Sequence, residues 1–146
     1  MTGAVTPGFD ALRAQWQDRP FLTELGVSVD VIEEGYARLT MSRNDIAVGG
    51  IRDSINGGVV ASLAELAAEI ALSSTLGPGE SIVSSVDVGL SYLTSALGDP
   101  TVAEGRVLRK GGRLCVCDVE VSDGENGAMN AKARVSFAIV RPPRDA

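Results

Sequence analysis

Leu25, Val27, Val29 and Val31 alternate with Gly26, Ser28 and Asp30, a period of two that predicts a strand with one buried face. Beyond Gly35, Ala37, Leu39 and Met41 alternate with Arg38, Thr40 and Ser42, so the two strands are expected to form a hairpin. The same alternation returns over residues 82–93, 101–109, 114–122 and 129–140. Turn-forming residues separate these runs: Gly98-Asp99-Pro100, Gly111-Gly112, and the stretch from Asp123 to Gly127. One long segment, residues 57–74, breaks the pattern. At about 100° per residue, Val59, Leu63, Leu66, Ala67 and Ile70 share one helical face. Ala61, Ala64, Ala68 and Ala71 flank that face with small side chains and permit close packing. Asn56-Gly57-Gly58 opens this helix, and Gly77-Pro78-Gly79 follows its end. A shorter helix is expected over residues 9–17, stopped by Pro20, and residues 44–55 read as a loop.

One helix among about six antiparallel strands has a simple packing solution, in which the sheet wraps around the helix. The expected fold class is therefore α+β, an antiparallel sheet of about five to six strands around one long central helix. The expected organisation is a helical lead-in over residues 1–22, a single domain over 23–141 and a short tail over 142–146. No internal repeat or second domain is evident.

Composition narrows the chemistry. The 146 residues include no histidine, which removes Ser-His and Cys-His nucleophile pairs, histidine-based zinc sites and histidine-dependent dehydratase chemistry. No metal and no cofactor is expected. Acid–base work falls to carboxylates, Lys, Tyr, Cys or backbone groups. The 13 basic and 19 acidic residues give a net charge of -6, a poor surface for a nucleic-acid backbone. Only 4% of the residues are aromatic, so aliphatic residues must fill the core. No apolar run approaches the roughly 20 residues needed to cross a bilayer, and the first 19 residues lack the pattern of a signal peptide. The expectation is a cytoplasmic protein with no nucleic-acid and no membrane partner. Cys115 and Cys117, two apart on an alternating strand, are expected on one face as buried small hydrophobes.

Two clusters could carry function. Helical spacing places Gly58, Ser62, Glu65 and Glu69 on one narrow stripe of the long helix. Such a stripe is often a solvated edge. Here it starts at a glycine-bare helix N-terminus, whose N–H groups stabilise negative charge, and it carries a carboxylate two turns along. Arg109, Lys110 and Arg113 around Gly111 and Gly112 form the densest basic cluster on the chain. They are a weak candidate for binding phosphates, against the plainer reading of a hairpin with solvated charges.

The run from Asn56 to Glu65 resembles the signature of the hotdog-fold acyl-CoA thioesterases, in the phenylacetate-pathway and 4-hydroxybenzoyl-CoA thioesterase group. That signature is His-Gly-Gly, four small or apolar residues, Leu, any residue, then Asp or Glu. The likeness extends over roughly residues 25–140, through the segment from Ser85 to Leu93 and the turns at Gly98-Asp99 and Arg109 to Arg113. The resemblance implies a hotdog fold. It also implies that Glu65 is the catalytic carboxylate, that the N–H of Gly57 or Gly58 polarises the thioester carbonyl, and that Ser85 helps hold the attacking water. Glu69 falls where some relatives carry a hydroxyl residue. The implied partners are an acyl-CoA substrate and further copies of the chain, a homodimer or dimer of dimers with the site at the subunit interface. Two positions depart from the family: its His is Asn56, and the Asn or Gln often found six positions earlier is Gly50, with Asn44, Arg52 and Asp53 as nearby polar side chains.

Thioester hydrolysis can dispense with histidine, because the leaving thiolate needs little general-acid help. Glu65 would act either as a base on water or by direct attack to form an anhydride. The alternative is a hotdog module that binds acyl-CoA or a protein partner without turning it over.

Overall fold

The computed structural model describes residues 7–124 and 127–143. The first six residues of the expected lead-in and the last three of the expected tail lie outside the described residues. The chain forms helices α1 (Pro7–Gln17) and α2 (Pro20–Leu25), strands β1 (Val27–Glu33) and β2 (Tyr36–Met41), and a short 3-10 turn (Ile51–Asp53). The long helix α3 (Gly57–Ser73) follows, then β3 (Ser81–Tyr92), β4 (Thr101–Lys110), β5 (Leu114–Asp123) and β6 (Met129–Val140). The strands make one six-stranded sheet in the order β1-β2-β4-β5-β6-β3, with every neighbouring pair antiparallel. The sheet and its helix are the hotdog arrangement that the resemblance implied.

Alternation decides which face is buried. Leu39, Met41, Ala103, Val119, Val121, Val135 and Phe137 point to one side of the sheet. They meet Leu63, Ala64, Ala67, Ala68, Ile70 and Ala71 of α3. The small helix side chains let backbone approach backbone. A Cβ placed on Gly105 of β4 would lie 2.4 Å from the carbonyl oxygen of Ala67, so this strand position admits no side chain while α3 stays seated. Cys115 and Cys117 are both buried and free, and the Cys117 thiol points at the carbonyl of Ala68.

Two expectations need correction at the N-terminal end. Pro20 does not merely stop a helix; it begins α2, because proline suits the first helical position, where its missing N–H costs nothing. Leu25 belongs to α2 rather than to the first strand. Gly26 closes that helix in the left-handed region (φ 73°), and β1 starts at Val27. The lead-in helices pack against β1. Gln17 accepts from the Val29 N–H at 2.8 Å and donates to the Val27 carbonyl at 2.9 Å, so its amide substitutes for a neighbouring strand along that edge.

At the opposite edge, β3 is a 12-residue strand that among the described residues pairs only with β6, and Val83, Val86, Val88, Tyr92 and Leu93 along and just beyond it are more than two-fifths exposed. The alternation in this strand predicts one buried face. Within a single chain neither face is covered well.

Candidate active site at the start of helix α3

The first turn of α3 can be accounted for donor by donor. Asn56 is the N-cap, and its side-chain oxygen accepts from the Gly58 N–H at 2.8 Å. Its backbone carbonyl accepts from Val59 and Val60 at 2.9 and 3.1 Å. The Gly57 N–H is left with no partner among the described residues. Of the two glycines that the sequence offered, Gly57 therefore keeps a donor available to a ligand, while that of Gly58 is spent on the cap. Tyr92, at the end of β3, donates its hydroxyl to the Gly57 carbonyl at 2.7 Å and so holds this peptide from the far side. Nothing in the sequence singled out Tyr92. The sheet brings it 35 positions back to the helix start.

A cavity of about 500 Å³ opens beside this helix start. Gly57 and Gly58 share its lining with Ile51, Ile55, Val60 and Leu93, and with the polar Ser54, Thr94 and Asn130. Its loop wall is built around Gly50, whose N–H donates to the Ser54 carbonyl at 3.0 Å. A Cβ on Gly50 would lie 2.4 Å from the Ser54 hydroxyl, so this loop has no room for the amide side chain that the family often carries there. Asn44 does not replace it. Its side chain is committed to the Leu25 and Ser42 carbonyls and to the N–H groups of Ile46 and Ala47, which shape the loop's entry. Arg52 and Asp53 are exposed, both with φ of 58°.

Glu65 lies eight positions beyond Gly57 on α3, about 12 Å along a helix that rises 1.5 Å per residue. It does not line the Gly57 cavity. The carboxylate faces β3 instead, where the Ser85 hydroxyl donates to it at 2.8 Å. The pairing register of β3 on β6 slips between Ile82 and Ser84 and again between Ser85 and Asp87. Bulges of this kind re-aim side chains next to functional sites, and this pair flanks the serine that holds Glu65.

The rest of the helical stripe divides. Ser62 donates to the Gly58 carbonyl at 2.9 Å and is satisfied along its own helix. Glu69 is half-buried, and its carboxyl is pushed above the ordinary range, chiefly by burial, with Glu65 adding to the shift and Arg19 opposing it. The basic cluster divides too. The Lys110 ammonium bonds the Glu80 carboxylate at 2.6 Å and the Thr75 carbonyl at 2.7 Å, so it braces the end of α3. Gly111 turns the hairpin with its N–H on the Leu114 carbonyl, and Gly112, Arg109 and Arg113 are exposed beside it.

The thioesterase superfamily matches the chain over residues 53–129, which span the helix start, Glu65 and Ser85. The medium/long-chain acyl-CoA thioesterase YigI of Salmonella typhimurium is 30% identical over 133 residues, 82% of this chain and 85% of that protein. Among solved structures, the Haemophilus influenzae thioesterase HI1161 superposes with a TM-score of 0.78 at 19% identity, covering 87% of each chain. The Escherichia coli PaaI protein of the phenylacetic acid degradation operon superposes with a TM-score of 0.77 at 22% identity, covering 92% of this chain and 93% of that one. At these identities the two superpositions bear on the fold.

Proposed function

The chain belongs to the thioesterase superfamily, an enzyme family of thioester hydrolases, and we propose that it hydrolyses acyl-CoA at a site shared between two copies of itself. The carrying observation is the separation of the two catalytic parts. A carbonyl under attack must sit about 3 Å from both the oxyanion donor and the attacking oxygen. The Gly57 N–H and the Glu65 carboxylate, about 12 Å apart along one helix, cannot both meet it.

A second copy supplies the missing half. Ser85 touches Glu65 and Tyr92 touches Gly57, so β3 carries a marker for each part. Pairing the bare edges of two β3 strands antiparallel, about an axis between Val88 and Gly89, sets Ser85 of one copy opposite Tyr92 of the other. Glu65 then faces the partner's Gly57. The same pairing covers the exposed valines and satisfies the unpaired edge.

In this site the Gly57 N–H polarises the thioester carbonyl, and Asn56 and Tyr92 fix the peptide that carries it. Glu65, aligned by Ser85, delivers the oxygen, as base on water or as direct nucleophile. Arg109 and Arg113 are the remaining candidates for the phosphates of CoA. The named substrates of the Salmonella relative, together with the apolar wall of Ile51, Ile55, Val60 and Leu93, make medium- and long-chain acyl groups the first to try. The test is thiol release from a panel of acyl-CoA compounds, with Glu65→Ala as the control. Hydrolysis of at least one acyl-CoA, reduced by about 10² or more in the variant, is the expected result. A folded wild-type protein that binds acyl-CoA without turnover would replace this reading with that of a binding module.

A further inference from the structure

The cavity beside Gly57 has a buried apolar floor and an exposed apolar mouth. Ile55, Val60 and Ala96 in its lining are each 3% exposed. Ile51 and Leu93 line the same cavity and are 81% and 54% exposed. They come from two separate segments, the turn before α3 and the end of β3. The display of Ile51 is imposed by its turn. The two residues after it, Arg52 and Asp53, both take a left-handed φ of 58°, which is costly for residues other than glycine. The Ser54 N–H on the Ile51 carbonyl at 3.1 Å and the Arg43 guanidinium on the Asp53 carbonyl hold that turn closed. Large apolar side chains kept in water at the rim of a cavity mark a surface that a ligand covers.

The same cavity offers little to a polar ligand. The Thr94 hydroxyl donates to the Met129 carbonyl at 3.2 Å and accepts from the Asn130 amide, whose nitrogen also reaches the Ser95 carbonyl at 3.4 Å. The Asn130 side-chain oxygen is closed off from the open space. A ligand there meets chiefly the Gly57 N–H and the apolar surface beside it.

We infer that this cavity takes the acyl arm of the thioester rather than its pantetheine arm, and that Ile51 and Leu93 are specificity-determining residues that select acyl chains by length. The inference rests on the reading of Gly57 as the donor to the thioester carbonyl. With the carbonyl on that N–H, a short chain stays over Ile55 and Val60 and never meets the mouth. A longer chain covers Ile51 and Leu93 on its way out, and each methylene that it buries tightens binding about fourfold.

Binding reads this without turnover. Calorimetry on the full chain would use S-(2-oxoalkyl) thioethers of CoA, in which a methylene between carbonyl and sulfur prevents hydrolysis, with chains from acetyl to dodecanoyl length. Wild-type affinity should climb about fourfold per methylene and level off once the chain has passed the mouth. Ile51→Ala removes a side chain that stands in solvent, so it spares the core. It should leave the acetyl analogue within about twofold of wild type and weaken the dodecanoyl analogue about tenfold or more. Leu93→Ala should show the same dependence on length. An Ile51→Ala protein that weakens every length alike, or that loses the wild-type mass in light scattering, overturns the proposal, because Ile51 would then serve the loop or an interface between copies. Wild-type affinity that is flat across the series overturns it as well. Thiol release from the matching acyl-CoA compounds, run in parallel, separates the two readings. Length-dependent binding that Ile51→Ala flattens, without turnover, keeps this inference and rejects hydrolysis, whereas turnover with length-independent binding does the reverse.

Discussion

The Ser85 hydroxyl donates to the Glu65 carboxylate across 2.8 Å, joining the middle of helix α3 to a bulged, otherwise exposed edge strand. Under the proposed hydrolysis, this hydrogen bond orients the carboxylate that presents one oxygen to water or substrate. Ser85→Ala should leave the fold intact and lower kcat/KM about tenfold, the equivalent of about 1.4 kcal/mol. The loss should fall on kcat rather than KM, because the serine positions the attacking group and not the acyl chain. Steady-state kinetics on a good acyl-CoA substrate read this directly. Unchanged kcat would leave Ser85 as a structural tie.

Asn56 caps α3 through the Gly58 N–H. Asn56→Ser should retain stability, while Asn56→Ala should lose about 1 kcal/mol in denaturant unfolding. In the proposed site the cap also sets the angle at which the neighbouring Gly57 N–H meets a carbonyl. Asn56→His, which restores the family's residue, should therefore raise kcat more than it changes KM. A rate equal to wild type in Asn56→Ala would reduce Asn56 to a cap alone.

Glu80 and Glu69 should give stability opposite dependences on pH. The Lys110 ammonium, with the Gly77 N–H and Arg141, holds the Glu80 carboxyl down at about 2 from an ordinary 4.5. A depressed carboxyl stabilises the fold above its unfolded value and loses that contribution as pH falls. Glu80→Gln should lower Tm at pH 7, and the difference from wild type should close between pH 4.5 and about 2. Burial raises the Glu69 carboxyl, so its ionisation costs stability as pH rises past the ordinary value. Glu69→Gln should therefore raise Tm at neutral pH and change little in acid. Thermal unfolding of both variants across that range checks the two signs together.

The alternating segments and the one helical segment were enough to anticipate about five to six strands around α3, because these elements are long and, β3 excepted, bury one clear face. Glu65 was legible because it interrupts an apolar helix at a signature position. What was not legible is local or long-range. Helix α2 has six residues, too few for a period, and Pro20 reads equally as an end or a beginning. Tyr92 and Asn130 reach the start of α3 only because the order β6-β3 folds distant chain back to it. Asn130 left one trace, a polar residue at an inward position of β6. Which glycine keeps a free N–H could be settled only when the cap's geometry was known. Lys110 belonged to a basic cluster in the sequence, but its commitment to Glu80 depends on β4 ending beside the turn after α3.

The shared site is tested most directly by complementation between two inactive variants. Glu65→Ala removes the carboxylate. Gly57→Pro removes the N–H at a position where proline suits the first helical turn and the preceding Asn56 already has extended backbone (φ -54°, ψ 135°), and its Cβ would meet the Tyr92 hydroxyl at 3.3 Å, a contact that Tyr92 must give way to by a few tenths of an ångström. Each variant alone should be a folded, inactive oligomer. Unfolded and refolded together, half the dimers would be mixed, and each mixed dimer would hold one intact site. The account predicts recovery of on the order of a quarter of wild-type thiol release. Mixtures that stay inactive, although mixed dimers are shown to form, would contradict it and place Gly57 and Glu65 in different chemistry.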